Sequence, residues 1–175
     1  VDLETFGTAT NSVIAAIGAV AFDRSGIQER FYTNVSVDSC LKLGLRVDQG
    51  ALKFWLLDTD AKAREALYSS TPRGLRDALS MFTTFYQHVP CDWLWSHGAN
   101  FDEPILHNAY NAVYGEFVPW AFRHVRDTRT LYSLTGVKTI PVGEQTDKHN
   151  ALADAEYQAR CVIKAYELLE KELET

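Results

Sequence analysis

SVIAAIGAVAFDRSGIQERFYTNVSV, residues 12–37, decides the fold class. Residues 12–23 are a run of β-branched and small apolar side chains, and residues 27–37 alternate apolar with polar. Arg24-Ser25-Gly26 between them is turn material, so the stretch predicts a β-hairpin. Toward the N-terminus, VDLET at residues 1–5 reads as a shorter strand preceding the hairpin. It opens already in strand character, which leads us to expect a few earlier residues, including an initiator methionine, beyond those given.

Toward the C-terminus the period changes. Residues 49–57, 61–68 and 72–89 carry apolar side chains at helical spacing, the last with Pro72 in an N1-like position. DWLWSH at 92–97 returns to strand character, with Trp93 and Trp95 on one strand face, expected to pack under a helix. Residues 102–114 repeat Ile105, Leu106, Ala109 and Val113 at helical spacing, and Pro104 is tolerated in a first turn. A short strand near 122–125 and a short helix over 128–134, closed by Gly136, follow. Residues 137–148 read as a loop that is long for a compact domain, and residues 151–173 as a strong helix with an acidic end. With no repeat or linker, one α/β domain over residues 1–175 is expected.

Composition narrows the function classes. The chain has 175 residues, 46% hydrophobic and 23% charged, which is ordinary for a globular protein able to bury a core without staples. No apolar run reaches membrane-span length and no leader pattern opens it, so a cytoplasmic protein with no membrane contact is expected. Cys40, Cys91 and Cys161 are an odd number at unrelated spacings, against both a disulfide framework and a thiolate metal site. A formal charge of −6 argues against gripping long duplex by phosphate neutralisation. Nucleic-acid binding would have to be local or carried by metal ions.

Asp2 and Glu4 lie two apart on a strand and so share a face. Adjacent carboxylates repel and raise each other's pKa unless a cation lies between them. The spacing alone is cheap: five such acid pairs occur in the chain, against roughly three expected by chance. This pair differs in occupying a strand, where two unpaired buried carboxylates would be costly, so the alternatives are a metal site and an exposed strand end. Asp102 follows a strand and a Gly98-Ala99-Asn100 turn, and by itself reads as a helix N-cap. His149 and Asp154 are five apart at a helix start, among small Ala151, Ala153 and Ala155 that permit close approach to a strand. His97 and Asp102 repeat that interval.

Taken together, VDLETFG, HGANFDEPIL and HNALADA resemble, in order and spacing, the three motifs of the DEDDh branch of ribonuclease-H-like 3′-5′ exonucleases. LKFWLLDTDAKAREAL and WSHGANFD look most like the small phage and prophage exonucleases and related bacterial exoribonucleases. The resemblance spans the whole chain and implies an α/β, ribonuclease-H-like fold: a five-stranded mixed β-sheet flanked by α-helices. It implies two divalent cations, Mg²⁺ or Mn²⁺, held by Asp2, Glu4, Asp102 and Asp154, with His149 as general base. It implies hydrolysis from the 3′ end of single-stranded DNA or RNA, or of 3′ overhangs, releasing nucleoside 5′-monophosphates. A homodimer is a further option.

Thr5 and Phe6 match family positions that touch the terminal sugar and base, with core packing the alternative for Phe6. Phe101 is a third candidate substrate contact; it, Phe54, Trp55, Trp93 and Trp95 read as core side chains before stacking platforms. Asp127 reads as an N-cap. Arg46, Arg126, Arg129 and Lys148 are candidate phosphate contacts or solvated surface. Two other classes compete: an inactive nucleic-acid-binding relative, which would have lost one of the five motif residues, and a ribonuclease-H-like endonuclease, which would not require His149.

Overall fold

The computed structural model describes residues 1–98, 100–137, 145 and 147–174. Most of the loop expected over 137–148, and Ala99 of the expected turn, lie outside them. Three strands, β1 (Asp2–Thr5), β2 (Ile14–Asp23) and β3 (Gly26–Asn34), form an antiparallel sheet in chain order. The hairpin is as expected, closed through Gly26 at φ +136°, a conformation that glycine alone adopts without strain.

Residues 35–37 leave the sheet. Ser36 caps a short helix, α1 (Val37–Lys42), by accepting from the Ser39 amide, so the tail of the expected second hairpin strand is helix start. Helix α2 (Gln49–Lys53) runs directly into a π-helical turn (Phe54–Asp58), and α3 (Ala61–Ala66) follows, capped by Asp60. The next helix, α4 (Leu75–His88), starts three residues later than expected. Arg73 pairs instead with the end of β3, donating to Asn34 O at 2.9 Å and accepting from Ser36 N at 2.8 Å.

Strands β4 (Leu94–Ser96) and β5 (Val125–Asp127) form a separate parallel pair, with α5 (Asp102–Tyr114) between them in sequence. Residues 122–124, expected as strand, make a 3₁₀ turn into β5. Helix α6 (Thr128–Thr135) ends at Gly136 in the left-handed region, and α7 (Ala151–Leu173) closes the described chain. The single five-stranded sheet implied by resemblance is thus two sheets. The N-terminal nitrogen of Val1 donates to Trp95 O at 2.7 Å, but at the next step the Leu3 amide donates to the Asp102 carboxylate at 3.1 Å. A side chain stands where a strand-to-strand ladder would continue.

Strand alternation divides the first sheet. Leu3 and its partner Ile17 face a core built with Leu79 and Phe82 of α4 and Ile105 and Leu106 of α5. Asp2 and Glu4 face the other way, opposite Gly18 and Ala16 of β2. Helix α7 covers that second face, chiefly against β2. It does so with small side chains, Ala151, Ala155 and Ala159, buried at i, i+4 spacing. At Gly18 an added Cβ would lie 2.2 Å from the carbonyl carbon of Ala151, so helix and strand backbones meet directly. Trp95 packs edge-on against Tyr166 of α7 as expected, but Trp93 precedes the strand and is 44% exposed, with the Arg126 guanidinium 3.8 Å over its ring.

Candidate active site

The acids arrive from three elements. Asp2 and Glu4 come from β1, and Asp154 from the first turn of α7, where Asn150 caps the helix by accepting from Leu152 and Ala153 amides. Carboxylate oxygens of Asp2, Glu4 and Asp154 lie within 4.8 Å of one another. Asp102 opens α5 without being its N-cap, a position Phe101 holds. Its two oxygens accept from Leu3 N and His97 N, both at 3.1 Å, tying β1 to the end of β4.

His149 precedes the cap at φ +62°, and its amide donates to Asp154 Oδ2 at 3.0 Å. The two residues are therefore coupled through the backbone of a helix entry, not stacked on successive helical turns. Its ring makes T-shaped contacts with Phe54 at 5.0 Å and Trp55 at 6.4 Å between centroids.

All five motif residues line one cavity of about 530 Å³, together with Thr5, Phe54, Trp55, Phe101, His97 and Arg129. Phe6 does not line it; that ring sits beyond Trp55, against a neighbouring apolar cavity of about 470 Å³. Of the candidate basic residues, Arg129 lies at the cavity, exposed, beside Gly98. Arg46 and Arg126 do not line it, and Lys148 lines a separate pocket with Lys62. Asp127 caps α6 as expected and also accepts from Gly98 N at 3.1 Å.

The sequence reading missed two amides that hold the acids. Gln158 donates to Asp2 Oδ1 at 2.7 Å, and Gln145 to Asp154 Oδ1 at 2.6 Å. Gln158 was findable, since it lies four after Asp154 and so one turn along the same helix face. His97 was noticed for spacing only; its Nδ1 lies 2.8 Å from Thr128 Oγ1, on the cavity wall.

Gathering four acids in a partly enclosed site makes their ionised forms unfavourable. Burial, then the Asp154 and Asp102 charges, push Glu4 up to about 8. Burial also raises Asp102 to about 6, against the pull of the Val1 ammonium charge and then of the Leu3 and His97 amides. Asp2 is raised by burial and then by its three acidic neighbours, and Asp154 by burial, against the Gln145 and His149 hydrogen bonds. Glu4 Oε1 is buried with no hydrogen-bond partner among the described residues. An orphaned buried carboxylate oxygen beside two others is a donor set suited to a hard divalent cation.

A family model, that of the 3′-5′ exoribonuclease Rv2179c-like domain, matches residues 1–166. The chain belongs to this family. The Rv2179c-like domain is thus a 3′-5′ exoribonuclease, a hydrolase of phosphodiester bonds, and its substrate is nucleic acid. The match runs from β1 into the last turns of α7, so all the motif residues fall inside it. Comparison with curated proteins finds no match. The sequence left DNA and RNA open, and the family's description is that of an exoribonuclease. Among the described residues, no helix is long and apolar enough to cross a membrane.

Proposed function

We propose that this Rv2179c-like domain is a DEDDh-type exoribonuclease of ribonuclease-H-like fold, working as one catalytic domain that removes nucleoside 5′-monophosphates from RNA 3′ ends. The observation that carries the reading is the approach of Asp2, Glu4 and Asp154 carboxylate oxygens within 4.8 Å of one another, with an unpartnered buried oxygen on Glu4 and His149 lining the same cavity. Asp2, Glu4 and Asp154, with Asp102 beside them, would hold two divalent cations of the Mg²⁺ or Mn²⁺ class. When bound, these supply the positive charge that activates a water and stabilises the leaving 3′ oxygen.

The chain's own groups do the rest. His149 takes the proton from the attacking water, as a half-buried imidazole at the cavity wall is placed to do. Arg129 at the rim meets a substrate phosphate. Thr5 and Phe101 contact the terminal sugar and base, whereas Phe6 acts indirectly by backing Trp55. The Trp55 indole donates to Thr5 O at 2.9 Å and so fixes the β1 end on which Glu4 and Thr5 stand. The carboxylates need no covalent step, since they only bind and orient.

The test is a 5′-labelled RNA ladder with matched DNA alongside, in Mn²⁺ and in chelator. Stepwise shortening of the RNA from its 3′ end, abolished by chelator, is the expected result. Internal cuts, or turnover that survives chelation, would overturn the reading.

A further inference from the structure

The segment that runs from α2 into α3 changes helical type where it passes the cavity. In an α-helix consecutive side chains point about 100° apart. Yet consecutive Phe54 and Trp55 both line the cavity and both meet the His149 ring in near-perpendicular contacts. They do so within the π-helical turn Phe54–Asp58, closed by Thr59, whose amide donates to Phe54 O at 3.1 Å and whose hydroxyl donates to Trp55 O at 2.7 Å. Single π turns cost regular hydrogen bonding and recur at functional sites.

His149 needs such support. It leaves the backbone at positive φ, just before the α7 cap, and among the described residues its ring contacts are T-shaped aromatic ones: Phe54 at 5.0 Å and 84°, Trp55 at 6.4 Å and 76°. A ring held that way has its orientation set by packing. Trp55 is anchored in turn by its bond to Thr5 O, so the turn is referenced to the same strand that carries Glu4.

We propose that the π turn orients His149 toward the acids, with Phe54 as the positioning residue. The proposal rests on His149 being the general base. Misplacing a catalytic group by an ångström costs up to about 10²-fold in rate. Phe54→Leu, which removes the perpendicular ring contact, is therefore expected to lower kcat roughly ten- to a hundred-fold, with KM and the Mn²⁺-induced rise in melting temperature little altered. Phe54→Tyr keeps the aromatic contact and recovers most of the rate. Thr59→Val, outside the cavity, loosens the closure of the turn and lowers kcat in the same direction.

The deciding measurement is a double-mutant cycle in single-turnover cleavage of a short RNA. If Phe54 acts through His149, Phe54→Leu adds no further loss to His149→Ala. Equal fold losses in both backgrounds, or an effect confined to KM, would overturn the proposal, the latter by making Phe54 a substrate-stacking residue. Near-normal turnover of His149→Ala alone would instead remove the general-base reading, a separate outcome. Should Phe54→Leu fail to fold, the Thr59→Val cycle with His149→Ala decides by the same criterion.

Discussion

Gly18 of β2 and Ala151 of α7 touch backbone to backbone: a Cβ on Gly18 would stand 2.2 Å from the Ala151 carbonyl carbon and 2.3 Å from the Leu152 nitrogen. Gly18 is also the partner of Asp2 across the sheet, and Ala151 stands three residues before Asp154. The absence of one side chain therefore sets how near the helix-borne acid comes to the strand-borne pair.

Gly18→Ala should accordingly do two things. Backbone cannot yield as a flexible side chain does, so the overpacking is expected to destabilise by about 1–3 kcal/mol. It should also weaken the Mn²⁺-induced stabilisation by moving Asp154 away. Thermal melts with and without Mn²⁺ check both, and a variant that melts as the wild type does would contradict the close approach.

The pH dependence of the metal-free protein follows from the raised carboxyls. Below about pH 4 these groups are protonated in folded and unfolded chains alike. Above it the unfolded chain ionises first, while the folded one keeps its protons until about 6 at Asp102 and about 8 at Glu4. The folded state then binds more protons, so stability falls as pH rises across that window. Glu4→Gln removes one such group and should melt higher than the wild type at pH 8 without metal, converging with it near pH 4. Divalent metal should reverse the order at pH 8, by binding the folded wild type and not the variant. Identical metal-free melting curves at pH 8 would refute the buried-carboxylate account.

Asp102 should behave in the opposite way to Glu4. Its carboxylate satisfies the Leu3 and His97 amides, so Asp102→Ala leaves two donors unpaired at about 1–3 kcal/mol each. The metal-free variant should melt below the wild type even at pH 8. A stabilised Asp102→Ala would mean the carboxylate is not bridging β1 and β4.

His149→Ala and Asp2→Ala separate proton transfer from metal holding. The first is expected to lower single-turnover rates by on the order of 10² to 10⁴ while keeping the Mn²⁺-induced rise in melting temperature. The second should lose both. Mutants with indistinguishable metal responses would argue that His149 and Asp2 do not divide the work in this way.

Patterns carried by neighbours in the chain were legible in the sequence. Period-two alternation marks the hairpin and puts Asp2 and Glu4 on one face, and period 3.6 marks α5 and α7, whose bounds agree with those expected. These are local consequences of backbone geometry, so a few residues suffice to write them. Short elements were less legible: the second hairpin strand reads as far as Val37 but ends at Asn34, where three residues cannot declare a period before α1 begins, and α4 starts late because Arg73 is recruited by Asn34, a partner thirty-nine positions away.

The acid set, the histidine and their order along the chain were determined by the sequence alone, together with the resemblance they carry. Tertiary structure decided what each does for the others. That Asp102 spends its oxygens on the amides of β1 and β4, that Phe6 lies behind Trp55 while Phe54 and Arg129 face the cavity, and that a π turn meets His149, all depend on residues distant in sequence. A residue's type and spacing limit which groups it can offer. Where those groups point is settled only when helix and strand pack, because packing at contact distance, as at Gly18 and Ala151, leaves one arrangement without overlap.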